Sequence, residues 1–183
     1  MIDLAPATEH EMIAAFLQAE INSSRYGDLI KAALRQIGFA RLVIDAPDTS
    51  DANANAVRRS VFAAYRGYPN GLLFTGFPPV TWHRVRLEFA DFQRMRYANH
   101  PTLVALSGAS RLVSDGAANF AARIPGAAVM GHVANIIPAI QAGKAFPPLV
   151  AAQDTDGSLI LVEGHSRATA YVITGPVTAR MPL

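Results

Sequence analysis

Leu159-Ile160-Leu161-Val162-Glu163-Gly164-His165-Ser166-Arg167-Ala168-Thr169-Ala170-Tyr171 has the pattern of a strand that runs straight into a helix. Its first four residues form a continuous apolar run, the pattern of a buried strand. From Ser166 onward come good helix formers with no breaker. Gly164 therefore stands at a strand-to-helix joint. A helix N-terminus presents N–H groups and partial positive charge, and a glycine there lets the backbone approach an anion closely. Ser166 and Arg167 add a hydroxyl and a guanidinium in the first turn, so the parts of a phosphate cradle are together. His165 supplies a further donor or a proton carrier near neutral pH. Glu163, at the lip of the strand, suits a base or a Mg²⁺ ligand acting through water. The plainer reading of the same residues makes Gly164 a turn glycine and Glu163 a helix cap, with Arg167 paired to Asp154 or Asp156.

Working outward, Pro148-Leu149-Val150-Ala151-Ala152-Gln153, an Asp156-Gly157 turn and Leu159 to Val162 read as a β-hairpin. Before it, Ala134 to Ala142 reads as a helix despite Pro138, stopped by Gly143. After the joint, a helix from about His165 to Ile173 and a strand at Val177 to Arg180 are expected.

The first third reads as helical. Thr8-Glu9-His10-Glu11 has the form of a capping box, followed by Met12, Ile13, Phe16, Leu17 and Ile21 at helical spacing. A second helix is expected from Ser24 or Arg25, with Leu29, Ile30, Ala33, Leu34 and Ile37 on one face and Gly38 at its end. Asp51 opens a third, with Val57, Val61, Phe62 and Tyr65 inward and Gly67 closing it. Its Asn53, Asn55, Arg58 and Arg59 read as a solvated face. Turn residues crowd between Gly67 and Pro79, giving a boundary between a helical region at 1–78 and a second region at 79–183. Trp82 to Phe89 alternates as a half-buried strand, Asp91 to Tyr97 reads as a short helix, and 101–130 mixes short helical patterns with loops, one at Pro125-Gly126.

Composition narrows the functional classes. With 51% hydrophobic residues in 183, a real core is available. A net charge of +2 is no broad basic field of the kind a nucleic-acid coating protein carries. The absence of cysteine excludes disulfides, thiolate catalysis and cysteine-held metal centres. Met1-Ile2-Asp3-Leu4 lacks the features of a signal peptide and no apolar run nears the roughly 20 residues of a membrane span, so a cytoplasmic, soluble protein is expected.

Other candidates are weaker. Ser107-Gly108-Ala109-Ser110-Arg111 repeats the glycine, hydroxyl and arginine chemistry. Ser110 and Arg111 could form a second wall for a phosphorylated ligand, or the string could be a helix C-cap followed by an N-cap, its commoner role. Arg84 and Arg86 share a strand face and could meet phosphates. Trp82 and Tyr97 could stack on a base, although such aromatics more often pack in cores. His83, His100 and His132 lack metal-ligand spacing, so no protein metal site is expected.

The hairpin, then Glu163-Gly164-His165-Ser166-Arg167-Ala168-Thr169-Ala170, then a helix and a short strand, resembles the ParB N-terminal and sulfiredoxin superfamily. Its hallmark is a glycine, two variable residues and an arginine at this corner, matched by Gly164 and Arg167. The resemblance covers roughly residues 80–183 and implies an α/β (α+β) fold, a small mixed sheet with helices, preceded here by the helical N-terminal region. It implies binding of ATP or CTP, with Mg²⁺ as the accompanying ion. Gly164, His165, Ser166 and Arg167 would contact phosphates, and Glu163 and His165 would act on the reacting group. Sulfiredoxins carry a cysteine in this corner, which this sequence lacks, and the sequence runs only from Arg167 to Leu183 where partitioning proteins continue into DNA-binding domains. The expectation that remains is a stand-alone bacterial ParB-like phosphohydrolase or phosphotransferase. Two others stand beside it: a nuclease or nucleic-acid binder using the same corner, and a non-catalytic regulator whose N-terminal helices meet a protein partner.

Overall fold

Thr8 starts the first helix as its sequence demands: its Oγ1 accepts the Glu11 N–H at 3.2 Å while its own N–H donates to the Glu11 carboxylate at 2.7 Å. This reciprocal cap satisfies two of the N–H groups a helix start leaves over. The structure is a computed structural model that describes residues 1–70, 80–124 and 131–175. The turn-rich stretch at 71–79, the Pro125-Gly126 loop and the strand expected at Val177 to Arg180 lie outside the described residues. The chain packs as two units, one of Ala5–Arg84 and one of Met1–Leu4 with the residues from Val85 onward.

Strands β1 (Ile2–Ala7) and β2 (Trp82–Arg86) form a two-stranded sheet. The unit of Ala5–Arg84 holds α1 (Glu9–Glu20), α2 (Gly27–Gln36), the one-turn α3 (Leu42–Asp45) and α4 (Ala52–Arg66). Met12, Ile13, Phe16 and Leu17 of α1 are buried together with Val61 and Phe62 of α4, and the Phe16 and Phe62 rings lie 4.8 Å apart. Asp51 caps α4 by accepting from the N–H groups of Asn53 and Ala54. In α2, Ile30 and Leu34 are buried, but Leu29 and Ile37 of the expected inward face are exposed. That helix starts at Gly27 rather than Ser24 or Arg25 because Ser23 Oγ accepts the Tyr26 N–H at 3.0 Å and holds those residues in a turn.

The face of α4 expected to be solvated is in part buried. Asn55 and Arg58 are 4% and 1% exposed. Arg58 donates to the carbonyls of Val43 at 2.9 Å and Asp48 at 2.6 Å and to the Asn55 side chain. A buried guanidinium is tolerated only when its N–H groups find such partners. Here it ties α4 to α3 itself and to the loop that follows it.

The second unit contains α5 (Phe89–Arg94), α6 (Pro101–Leu106), α7 (Val113–Ala121), α8 (Gly131–Gln141), β3 (Val150–Gln153), β4 (Leu159–Glu163) and α9 (His165–Thr174). The strand expected to Phe89 stops at Arg86, because Asp91 accepts the Glu88 N–H at 2.8 Å and starts α5 instead. That helix also ends earlier than expected, at Arg94. The hairpin pairs antiparallel as expected, Ala151 against Leu161 and Gln153 against Leu159. A register shift between Val150 and Ala151 makes Val162 an extra residue on β4, so consecutive Leu161 and Val162 are both buried. Arg96 adds to the other side of β4, parallel to Ile160, and bridges antiparallel to Leu112. Helix α9 packs on α8, α7 and α5, with Ala168 and Ala170 in a core shared with Phe92, Met95, Tyr97, Val133 and Leu161. The result is a helix-rich α+β architecture with small sheets, in which β4 and α9 meet at Gly164.

Arg58→Ala is expected to lower stability by about 2–4 kcal/mol, since it strands two carbonyls and an amide. Arg59→Ala removes a pair to Glu9 whose arginine is 43% exposed and should cost about 1 kcal/mol or less. Urea unfolding of both variants checks this; equal losses would contradict it.

Candidate functional site

The corner is built by backbone before side chains. Gly164 adopts φ +96° and ψ 23°, left-handed values that join β4 directly to α9. A Cβ at this position would lie 2.3 Å from Leu149 Cδ2 and 3.2 Å from the Arg167 guanidinium, so neither the conformation nor the space admits another residue. As the N-cap, Gly164 brings no side-chain oxygen to the first turn of α9. Its carbonyl accepts the Ala168 N–H at 2.8 Å and starts the helical ladder.

Arg167 does something the sequence did not disclose. It is 7% exposed, and its guanidinium is turned into the protein. Nη1 donates to the Pro147 carbonyl and, at 3.1 Å, to the Pro148 carbonyl, while Nη2 donates to Glu163 Oε1 at 3.1 Å. The ion pair spans one helical turn, from the last residue of β4 to the first turn of α9. Neither Asp154 nor Asp156 takes this role; Asp156 instead faces Arg96 at 3.8 Å. Arg167 thus binds three segments, the Pro147-Pro148 approach to β3, the end of β4 and α9. Glu163, expected as base or Mg²⁺ ligand, is the anionic partner of that clamp, with a side chain 15% exposed.

His165 and Ser166 are the half-buried residues of the first turn. The His165 imidazole stacks on the Tyr97 ring, with centroids 6.1 Å apart and planes 30° apart. The His165 carbonyl accepts from Thr169 Oγ1 at 2.8 Å, and Thr169 Oγ1 lies 2.7 Å from the Tyr97 hydroxyl. Tyr97 is fully buried, so it is no platform for a base. Burial pushes its phenol up to about 12, against the opposing effect of the Thr169 hydrogen bond.

Ser110 and Arg111 sit elsewhere on the unit. Arg111 Nε and Nη2 both donate to the Tyr97 carbonyl, at 3.0 and 2.8 Å. Ser110 Oγ donates to the Ser107 carbonyl and accepts the Leu112 N–H, bridging the end of α6 to the start of α7. Their polar atoms are used within the protein, close to the capping role. Thr169, Leu149 and the Pro147-Pro148 carbonyls were not singled out by sequence, and Tyr97 was singled out only as a possible stacking platform or core residue. The visible signals were the diproline, which offers acceptors without donors, and a threonine four residues after His165.

Comparison with protein-family models, with curated proteins and with solved structures finds no match.

Among the described residues no group of three or more His, Asp and Glu is arranged to hold a metal ion. A cavity of about 360 Å³ lies near the hairpin turn, lined by Met1, Asp91, Arg94 and residues 156–159, apart from the corner residues.

Gly164→Ala should destabilise by about 2–4 kcal/mol through the left-handed backbone and the Leu149 overlap. Arg167→Lys, which keeps the charge but loses the fork, should cost a similar amount. Chemical denaturation of both checks the clamp, and a change below about 0.5 kcal/mol in Arg167→Lys would contradict it.

Proposed function

We propose that this chain binds a nucleotide at the start of α9, as a ParB-like protein taking ATP or CTP. The observation that carries this reading is the left-handed Gly164, which delivers β4 straight into a ten-residue helix whose N-cap supplies no side-chain acceptor. Such a helix start favours an anion through its N–H groups and dipole. Ser166 adds a hydroxyl in the same turn, and His165 stands beside it.

The roles differ from those that the motif alone suggests. Arg167 and Glu163 neutralise each other and hold the corner's shape, so the phosphates meet backbone N–H groups and the Ser166 hydroxyl. Mg²⁺ fits as an ion carried on the nucleotide's phosphates, since the one carboxylate at the corner is engaged by Arg167. Hydrolysis or transfer of the terminal phosphate is the chemistry to test once binding is established, with His165 as the nearest proton-carrying group.

Thermal unfolding with Mg²⁺ and ATP, CTP or GTP tests the reading. Ligand at a hundred times its Kd should add about 2.7 kcal/mol to the native state. Ser166→Ala should weaken binding roughly tenfold, one hydrogen bond to a charged group. No stabilisation by any of the three nucleotides would overturn the proposal.

A further inference from the structure

The chain carries two strings with glycine, hydroxyl and arginine, and a single residue joins them. Arg111 grips Tyr97 from two directions: its guanidinium holds the Tyr97 carbonyl, and its own carbonyl accepts the Tyr97 N–H at 2.7 Å. To do so Arg111 takes φ +64°, and Ala109 nearby takes φ +74°. Non-glycine residues seldom hold such values unless the surrounding structure fixes them, and the sites where this happens tend to aim a side chain. Ser107, 2% exposed, helps fix the segment by accepting the Arg111 N–H at 3.0 Å.

On its other side Tyr97 reaches the corner. Thr169 has one hydroxyl proton, and it goes to the His165 carbonyl, so the Tyr97 hydroxyl is the donor to Thr169. The relay runs from Tyr97 O–H through Thr169 O–H to the His165 carbonyl, each bond polarising the next. The Tyr97 ring meanwhile lies against the His165 imidazole. The phenol also packs directly on Gly116, where a Cβ would come within 2.5 Å of its oxygen.

We propose that Tyr97, locked by Arg111, is the positioning residue of the phosphate corner, setting both the backbone and the imidazole of His165. The second string therefore serves the ligand site at one remove, through Tyr97. This rests on the nucleotide reading above for what the corner binds.

The test compares the wild-type chain with Tyr97→Phe, which keeps the ring and removes the hydroxyl, and with Arg111→Lys, which keeps charge and loses the bidentate grip. Three quantities are read: the His165 ring-proton chemical shifts, amide exchange in the first turn of α9, and the Kd for Mg-ATP. In both variants the His165 resonances should move, first-turn exchange should quicken about tenfold, and Mg-ATP affinity should fall about three- to tenfold. Exchange in α1–α4 should stay as in the wild type. His165 shifts and first-turn exchange that match the wild type would overturn the proposal, as would a uniform rise in exchange throughout the second unit. A wild-type chain that does not bind Mg-ATP, with His165 still displaced in both variants, would refute the nucleotide reading and leave the positioning role standing.

Discussion

A buried guanidinium is the constraint on which the corner depends. Arg167 cannot lie at 7% exposure unless its N–H groups are met, and they are met by two consecutive proline carbonyls and one carboxylate. The prolines suit this task because the pair supplies acceptors while Pro148 has no N–H of its own to satisfy. Glu163 neutralises the charge, and removing either ion would leave the other desolvated, an imbalance of several kcal/mol. The approach to β3, the end of β4 and the first turn of α9 are thereby fixed at one point. Leu149, following the clamped prolines, closes over Gly164 and makes the missing Cβ a requirement of packing as well as of backbone angle.

From that point the organisation of the unit follows outward. The hairpin is anchored at one end by the clamp and at the other by Arg96, whose backbone bonds to Leu159 and Leu161 at 2.8 Å each. The next residue, Tyr97, carries the connection to α9 through Thr169 and to the α6–α7 loop through Arg111. Polar contacts thus run from the Ser107 loop to the helix start without leaving the unit. Arg167, Tyr97 and Thr169 fix the backbone of the corner from within the protein, which is what a pre-organised anion site needs.

The elements legible in the sequence were those whose signals are local. The Thr8 capping box, the Asp51 cap of α4, the hairpin turn at Asp156-Gly157 and the strand-to-helix joint at Gly164 each rest on residues within a few positions of one another. What escaped was long-range. Arg58, Arg111 and Arg167 all looked like surface or ligand-facing arginines, and all three direct their guanidinium groups at backbone carbonyls, an acceptor that no sequence pattern marks. A strand did form from Trp82, with Val85 partly buried but His83 of the expected inward face exposed, and the cap between Glu88 and Asp91 ended it before Phe89. One-turn α3 was too short to show periodicity, and β1 carries Pro6 within its run and is largely exposed, so it has no buried face for a pattern to mark. The candidate site was therefore legible as a place, while the division of labour between Arg167, Glu163 and Tyr97 became visible only when distant segments were brought together.

In the proposed site Arg167 builds the corner and leaves the ligand to other groups. Nitrogen-detected NMR of the arginine side chains, with and without Mg-ATP, tests it most directly. Arg167 should give separate, slowly exchanging Nη resonances that stay in place on adding Mg-ATP while the His165 and Ser166 amide resonances move. Averaged Nη resonances before ligand is added, or Nη resonances that shift with it, would contradict the claim.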